Sequence, residues 1–68
     1  MAIYTRFGNE ITIVEAQQNH GEIYVLAEYK GYPGEFDKFH ILDLKADYGL
    51  SEITNNPIIA KLLNSQNS

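Results

Sequence analysis

The side chains best suited to moving protons near neutral pH are the two histidines, His20 and His40. His40 sits in Phe39-His40-Ile41-Leu42-Asp43, with Asp37 and Asp43 three residues to either side. A general base needs a partner acid within hydrogen-bond reach and a cleft for substrate. On a regular strand both aspartates fall on the face opposite His40, so the pattern reads as an exposed strand histidine. His20, beside Gly21 in a polar stretch, reads as a loop residue. The pair has no zinc-binding spacing, and the absence of cysteine removes thiol catalysis, thiolate metal sites and disulfides together. Serines stand at positions 51, 65 and 68, none in a nucleophile-elbow context. The glycines at 8, 21, 31, 34 and 49 each serve one turn rather than a phosphate loop. The sequence therefore predicts a chain that is not an enzyme and uses no metal or cofactor.

Aromatic and charged residues point to binding instead. Five tyrosines in 68 residues are more than so small a core can hide, because a phenol resists burial without a hydrogen-bond partner. Tyr24, Tyr29, Tyr32 and Tyr48 are the expected contact residues, with Tyr32, in Gly31-Tyr32-Pro33-Gly34, the most exposed. The net charge is −4, and Arg6, Lys30, Lys38, Lys45 and Lys61 are scattered singly. Nucleic-acid binding draws its affinity from clustered Lys and Arg, so a phosphate backbone is an unfavourable partner. A protein is the expected one, either a second copy in a homodimer or a foreign chain. No stretch approaches the roughly 20 apolar residues of a membrane span. The start, Met1-Ala2-Ile3-Tyr4-Thr5-Arg6, lacks the apolar run of a signal peptide, which makes a cytoplasmic setting the default expectation.

The elements that would position these residues are mostly strands. Ile3 to Phe7 is a β-prone run ending at Gly8-Asn9, a pair that tolerates positive φ and signals a hairpin. Glu10 to Ile13 alternates, and Val14 breaks the alternation, which predicts a bulge or bend there. Gln17 to Gly21 reads as a loop. In the next strand, from Glu22 to Lys30, Ile23, Val25 and Ala27 share one face and Tyr24, Leu26 and Glu28 the other. Pro33 and Gly34 then suit positions i+1 and i+2 of a type II turn. Glu35 to Leu42 returns with Phe36, Phe39 and Ile41 expected inside, an out-of-phase set that implies a second bulge or bend. Asp43 to Leu50 allows a helical turn ended by Gly49, and Ser51 to Thr54 either another turn or a short strand. Asn55 or Asn56 makes a good N-cap, Pro57 suits the first helical position, and Ile58, Ile59, Leu62 and Leu63 form one helical stripe. The expected core is Ile11, Ile13, Ile23, Val25, Ala27, Phe39, Ile41 and Leu62.

These elements give one mainly β domain over residues 1–64, with a frayed polar tail at 65–68. The fold expected is a small, strongly bent antiparallel sheet or barrel of three to five strands, SH3-like, with a short C-terminal helix. An open three-stranded sheet with the helix across one end is the alternative.

The central strand and its turn carry a family resemblance. Tyr24-Val25-Leu26 followed by Lys30-Gly31-Tyr32-Pro33 resembles the middle of a chromodomain, whose second strand runs into a Lys-Gly-Tyr-Pro turn and which also ends in a helix. Tyr29 and Phe36 stand at the places of two tryptophans of that family, and Glu35-Phe36-Asp37-Lys38-Phe39 replaces its Trp-Glu-Pro segment. The resemblance implies an aromatic cage for a methylated lysine, with Tyr4, Tyr29 and Phe36 as ring faces and Glu28 or Glu35 as the carboxylate. Three functional readings follow: a protein-interaction module acting through a sheet edge or an aromatic patch; a methyl-lysine or peptide reader; and an acidic decoy that occupies another protein's nucleic-acid site.

Overall fold

The computed structural model describes residues 2–65. It contains strands β1 (Ile3–Thr5), β2 (Glu10–Asn19), β3 (Glu22–Tyr29), β4 (Phe36–His40) and β5 (Leu44–Ala46), then helices α1 (Leu50–Thr54) and α2 (Pro57–Ser65). The strands form a single antiparallel sheet in the order β4-β3-β2-β1-β5. A 3-10 turn, Ile41–Asp43, carries the chain from the last strand on one side of the sheet to the last strand on the other. The molecule is thus mainly β, with two short helices after the sheet.

Each hairpin is closed by local chemistry. At the first, Thr5 accepts from Gly8 N–H through its carbonyl (2.9 Å) and donates its own N–H to Asn9 (2.8 Å). The buried Thr5 hydroxyl accepts from Phe7 and Asn9 N–H at 3.3 and 3.2 Å. The hairpin signalled by Gly8-Asn9 is present, with Gly8 at φ +89° and Asn9 at a negative φ. The turn begins at Arg6, two residues earlier than Gly-Asn, and β1 ends at Thr5 rather than Phe7.

The expected loop at Gln17–Gly21 is mostly strand. β2 runs to Asn19, which pairs with Glu22, and only His20 and Gly21 lie between. Both have positive φ, +53° and +81°, the pattern of a two-residue primed hairpin turn. Polar residues hid this extension, because beyond the core a strand has no apolar alternation to display. The third hairpin matches expectation. Glu35 N–H donates to Tyr32 O (3.0 Å) across Pro33-Gly34, and Gly34 has φ +85°. A second turn precedes it, with Tyr32 N–H on Tyr29 O (3.2 Å) and Gly31 at φ +87°.

Register assigns the faces. Ile11, Ile13, Ile23, Val25 and Ala27 are buried on the inner face, as expected. Pairing shifts between Ile13 and Glu15, so Val14 is the bulged residue and Ala16 returns to the inner face opposite Val25. β4 shows no bulge. Phe36 pairs with Glu28 on the outer face and is half exposed, while Phe39 pairs with Val25 and packs against the core. The expectation of Phe36 inside is therefore corrected: a regular strand cannot turn residues three apart to one face.

Helix α2 starts as expected, with Asn56 Oδ1 accepting from Ile58 and Ile59 N–H (3.0 and 3.5 Å) and Pro57 opening the helix. It lies against β2, where Ile59 enters the core and Ile58 and Leu63 pack against it. Leu62, expected inside, is only half-buried. Gly49 does not end a helix but stands before α1 at φ +81°, because Leu44–Ala46 is extended by pairing with β1. Ile53 of α1 and Leu44 complete the core. Ser65 belongs to α2, its hydroxyl donating to Leu62 O (2.8 Å); the rest of the expected tail, 66–68, lies outside the described residues. Among the described residues no helix is long and apolar enough to cross a membrane.

Candidate interaction surface

The four tyrosines do not gather into one patch. Tyr32, at the tip of the β3–β4 hairpin, is 68% exposed, and Tyr48, between β5 and α1, is 72% exposed. Tyr24 and Tyr29 are half-buried on opposite faces of β3. Tyr29 packs edge-to-face against Phe39 (centroids 6.1 Å) and donates its hydroxyl to Asp37 Oδ2 (3.1 Å). Desolvation, and secondarily this hydrogen bond and the Asp37 charge, push its phenol above the usual value.

The residues of the implied cage are similarly divided. Glu28 and Phe36 are cross-strand neighbours on the outer face, and Tyr4 shares that face two strands away. Tyr29 is on the inner face beside Ile11. Glu28 is engaged, accepting the Gly34 N–H (2.9 Å) and holding the β3–β4 turn. Glu35 sits in that turn, bonded through its backbone to Tyr32 and Tyr29.

The outer face also collects Glu10, Glu15 and Glu22. Glu10 pairs with Lys30 (3.1 Å), and Glu22 Oε2 meets His40 Nε2. The other ring nitrogen of His40 accepts from Leu42 N–H (3.0 Å) and so caps the 3-10 turn. That assigns the ring proton to Nε2, facing Glu22. Tyr24 meets His40 edge-on (5.2 Å) and lies under Lys38 Nζ (5.4 Å). His40 thus works as a structural cap; of these carboxylates Glu10 is paired with a cation, Lys30, and Glu22 meets the His40 ring.

Both sheet edges are blunted. The bond from Tyr29 N–H to Glu35 O (2.9 Å) sets the ladder's phase, so Phe36, Lys38 and His40 turn their backbone groups outward. Lys38 N–H, at the middle of that edge, is taken by Asp37 Oδ1 (2.9 Å). On β5, Leu44 N–H donates to Ile41 O, and Ala46 O accepts from Gly49 N–H (3.1 Å). A charged centre on one edge and flanking turns on the other are devices that discourage strand addition.

What remains open is a groove between the 3-10 turn and α1. Ile41, Leu42, Leu44, Ala46, Leu50 and Ile53, together with Lys45 and Gly49, line a cavity of about 420 Å3. Leu44 and Ile53 form its buried floor, while Leu42 and Leu50 stand 70% and 52% exposed at its sides. Sequence reasoning missed this set. No local signal marks it: the leucines at 42, 44 and 50 would share one face of a continuous strand, whereas the fold divides them among a 3-10 turn, a strand and a helix. On the other flank of α1 lies a second cleft, of about 470 Å3, containing Tyr48 and Glu52.

Comparison with protein-family models, with curated proteins and with solved structures finds no match.

Proposed function

We propose that the chain is a small, non-enzymatic protein-interaction module of the cytoplasm. In this reading it docks an apolar segment of a partner protein in the groove between the 3-10 turn and α1. The observation that carries this is the pair Leu42 and Leu50, exposed at the sides of a groove whose floor is the core itself. Exposed leucines beside a concave apolar surface lose water when a partner side chain enters, and such patches mark interaction sites. The blunted edges favour recognition through side chains over strand addition. The net charge of −4 favours a neutral or basic segment and opposes a nucleic acid.

The strand order and the 3-10 turn between β4 and β5 support assigning the sheet to the SH3-like barrels. The Lys30–Pro33 turn supports a local chromodomain-like hairpin, but the division of Tyr4, Tyr29 and Phe36 between two faces leaves the groove as the better supported site.

Placing a photo-crosslinking phenylalanine analogue at position 42 in the native cell tests this reading. A discrete protein adduct is expected, abolished by Leu50→Asp and absent when the analogue replaces Thr12 on the outer face. An adduct of twice the chain's mass identifies the partner as a second copy. No adduct from position 42, or the same adduct from position 12, overturns the groove as the binding site.

A further inference from the structure

We propose that the cleft on the other flank of α1 receives the guanidinium group of an arginine from a partner protein. The inference rests on the protein-interaction reading for the source of that arginine, but its site shares no residue with the apolar groove. Ile3, Tyr48, Ser51, Glu52, Asn55 and Pro57 line the cleft, together with Asn56, whose side-chain oxygen is committed to capping α2. Glu52 is the single charged residue among them, so the cleft is acidic in a chain already at −4.

The carboxylate of Glu52 is held in place and half used. Its Oε2 accepts the Tyr48 N–H at 2.9 Å. Its Oε1 is shielded from solvent and accepts nothing among the described residues. A shielded carboxylate oxygen without a donor is costly to maintain, and a cationic donor is the partner that offsets most of that cost. Tyr48, 72% exposed, lines the same cleft and offers an aromatic face there. To meet a donor from the cleft, the carboxylate must rotate so that Oε1 comes to the surface that Glu52 already lines. The Asn55 side-chain amide makes no hydrogen bond among the described residues and supplies a further acceptor.

These features select among cations. A trimethylated lysine can lie on a ring face but has no N–H to give Oε1. A guanidinium has five donors in a plane and stacks on aromatic rings, so it meets Glu52, Asn55 and Tyr48 together. Arginine fits all three.

The test is an amide NMR titration of the whole chain with acetyl-Gly-Arg-Gly-amide, beside the same peptide carrying citrulline or trimethyllysine. Saturable shifts are expected at Tyr48, Glu52 and Asn55, with a Kd of about 1 mM for so small a ligand. Citrulline removes the charge and trimethyllysine removes the donors, so each is expected to bind at least about tenfold more weakly. Glu52→Gln keeps an acceptor for the Tyr48 N–H, hence the fold, and is expected to weaken the arginine peptide by a similar factor; Tyr48→Leu is a second variant that leaves Glu52 intact. Equal shifts at Glu10, Glu22 and Glu28, equal binding of trimethyllysine, or binding indifferent to Glu52→Gln and Tyr48→Leu would overturn the proposal. Leu42→Asp and Leu50→Asp leave this titration unchanged, so a failure of the groove and a failure of the cleft are read separately.

Discussion

Tyr29 and Asp37 are joined by a 3.1 Å hydrogen bond from the phenol to Oδ2, while the second oxygen of Asp37 holds the Lys38 N–H. One carboxylate therefore ties a half-buried ring of β3 to β4 and covers the middle of an open sheet edge. Because the phenol is shifted upward, by desolvation first and then by Asp37, the fold favours its neutral form. That contribution is complete below pH 10.0, the ordinary phenol value, and is lost as pH rises through the higher folded-state value. Urea unfolding between about pH 8 and pH 12 should show an alkaline loss of stability that Tyr29→Phe reduces. Identical pH slopes in the two proteins would show that Tyr29 is not linked to folding. Asp37→Asn should bring the phenol back toward its ordinary value, read directly from tyrosinate absorbance.

Thr5 gives a second prediction. It is buried, and its hydroxyl accepts two backbone N–H groups, from Phe7 and Asn9. Thr5→Val preserves shape but leaves those donors without an acceptor, and should cost about 1–3 kcal/mol. Thr5→Ser should recover much of the loss. If valine is as stable as threonine in chemical denaturation, water serves the loop equally well.

At the second hairpin, His20 occupies a left-handed conformation (φ +53°) that asparagine and glycine adopt more readily. His20→Asn should stabilise the chain by about 0.5 kcal/mol, visible as a rise in melting temperature. Gly21→Ala should do the reverse, by about 1–2 kcal/mol. Nothing lies within 4 Å of where a Cβ would stand at Gly21, so that penalty belongs to the backbone alone. A neutral Gly21→Ala would contradict the turn type.

The helices supply buried side chains to a small core. Ile53→Ala and Ile59→Ala should each cost about 2–5 kcal/mol. A chain of 68 residues has roughly 3–10 kcal/mol in total, so either change brings it near unfolding. Leu62→Ala, at a half-buried position, should cost about 1 kcal/mol. Calorimetry ranking Leu62→Ala above Ile59→Ala would mean α2 is rotated from the orientation described.

What could be read from the sequence was what is local. The Val14 bulge, the Pro33-Gly34 turn and the Asn56-Pro57 helix start each depend on neighbours within a few residues, and each appears where expected. The inner face of β3 was legible because Ile23, Val25 and Ala27 follow the strand period. β5 was not, since three residues form a strand only by pairing with β1, some forty positions earlier. Phe36 misled because size suggested burial while its register with Glu28 faces it outward. The candidate surface was the least legible part. The tyrosines are spread over the molecule, and the groove draws its walls from a turn, a strand and a helix that become neighbours only in the fold.

The pairing of Ile3 with Ala46 bears on how the molecule assembles in time. The β2–β3 and β3–β4 hairpins bring together residues close in sequence and close small loops, which is rapid. β1, though first in order, lies between β2 and β5 and can gain its second neighbour only after the chain through Ala46 is available. Loop closure over that span carries a larger entropic cost than either hairpin and brings little reward until Leu44 reaches the core. During synthesis, the β2–β4 meander would therefore emerge as a nascent platform, with β1 held by one edge until β5 leaves the ribosome.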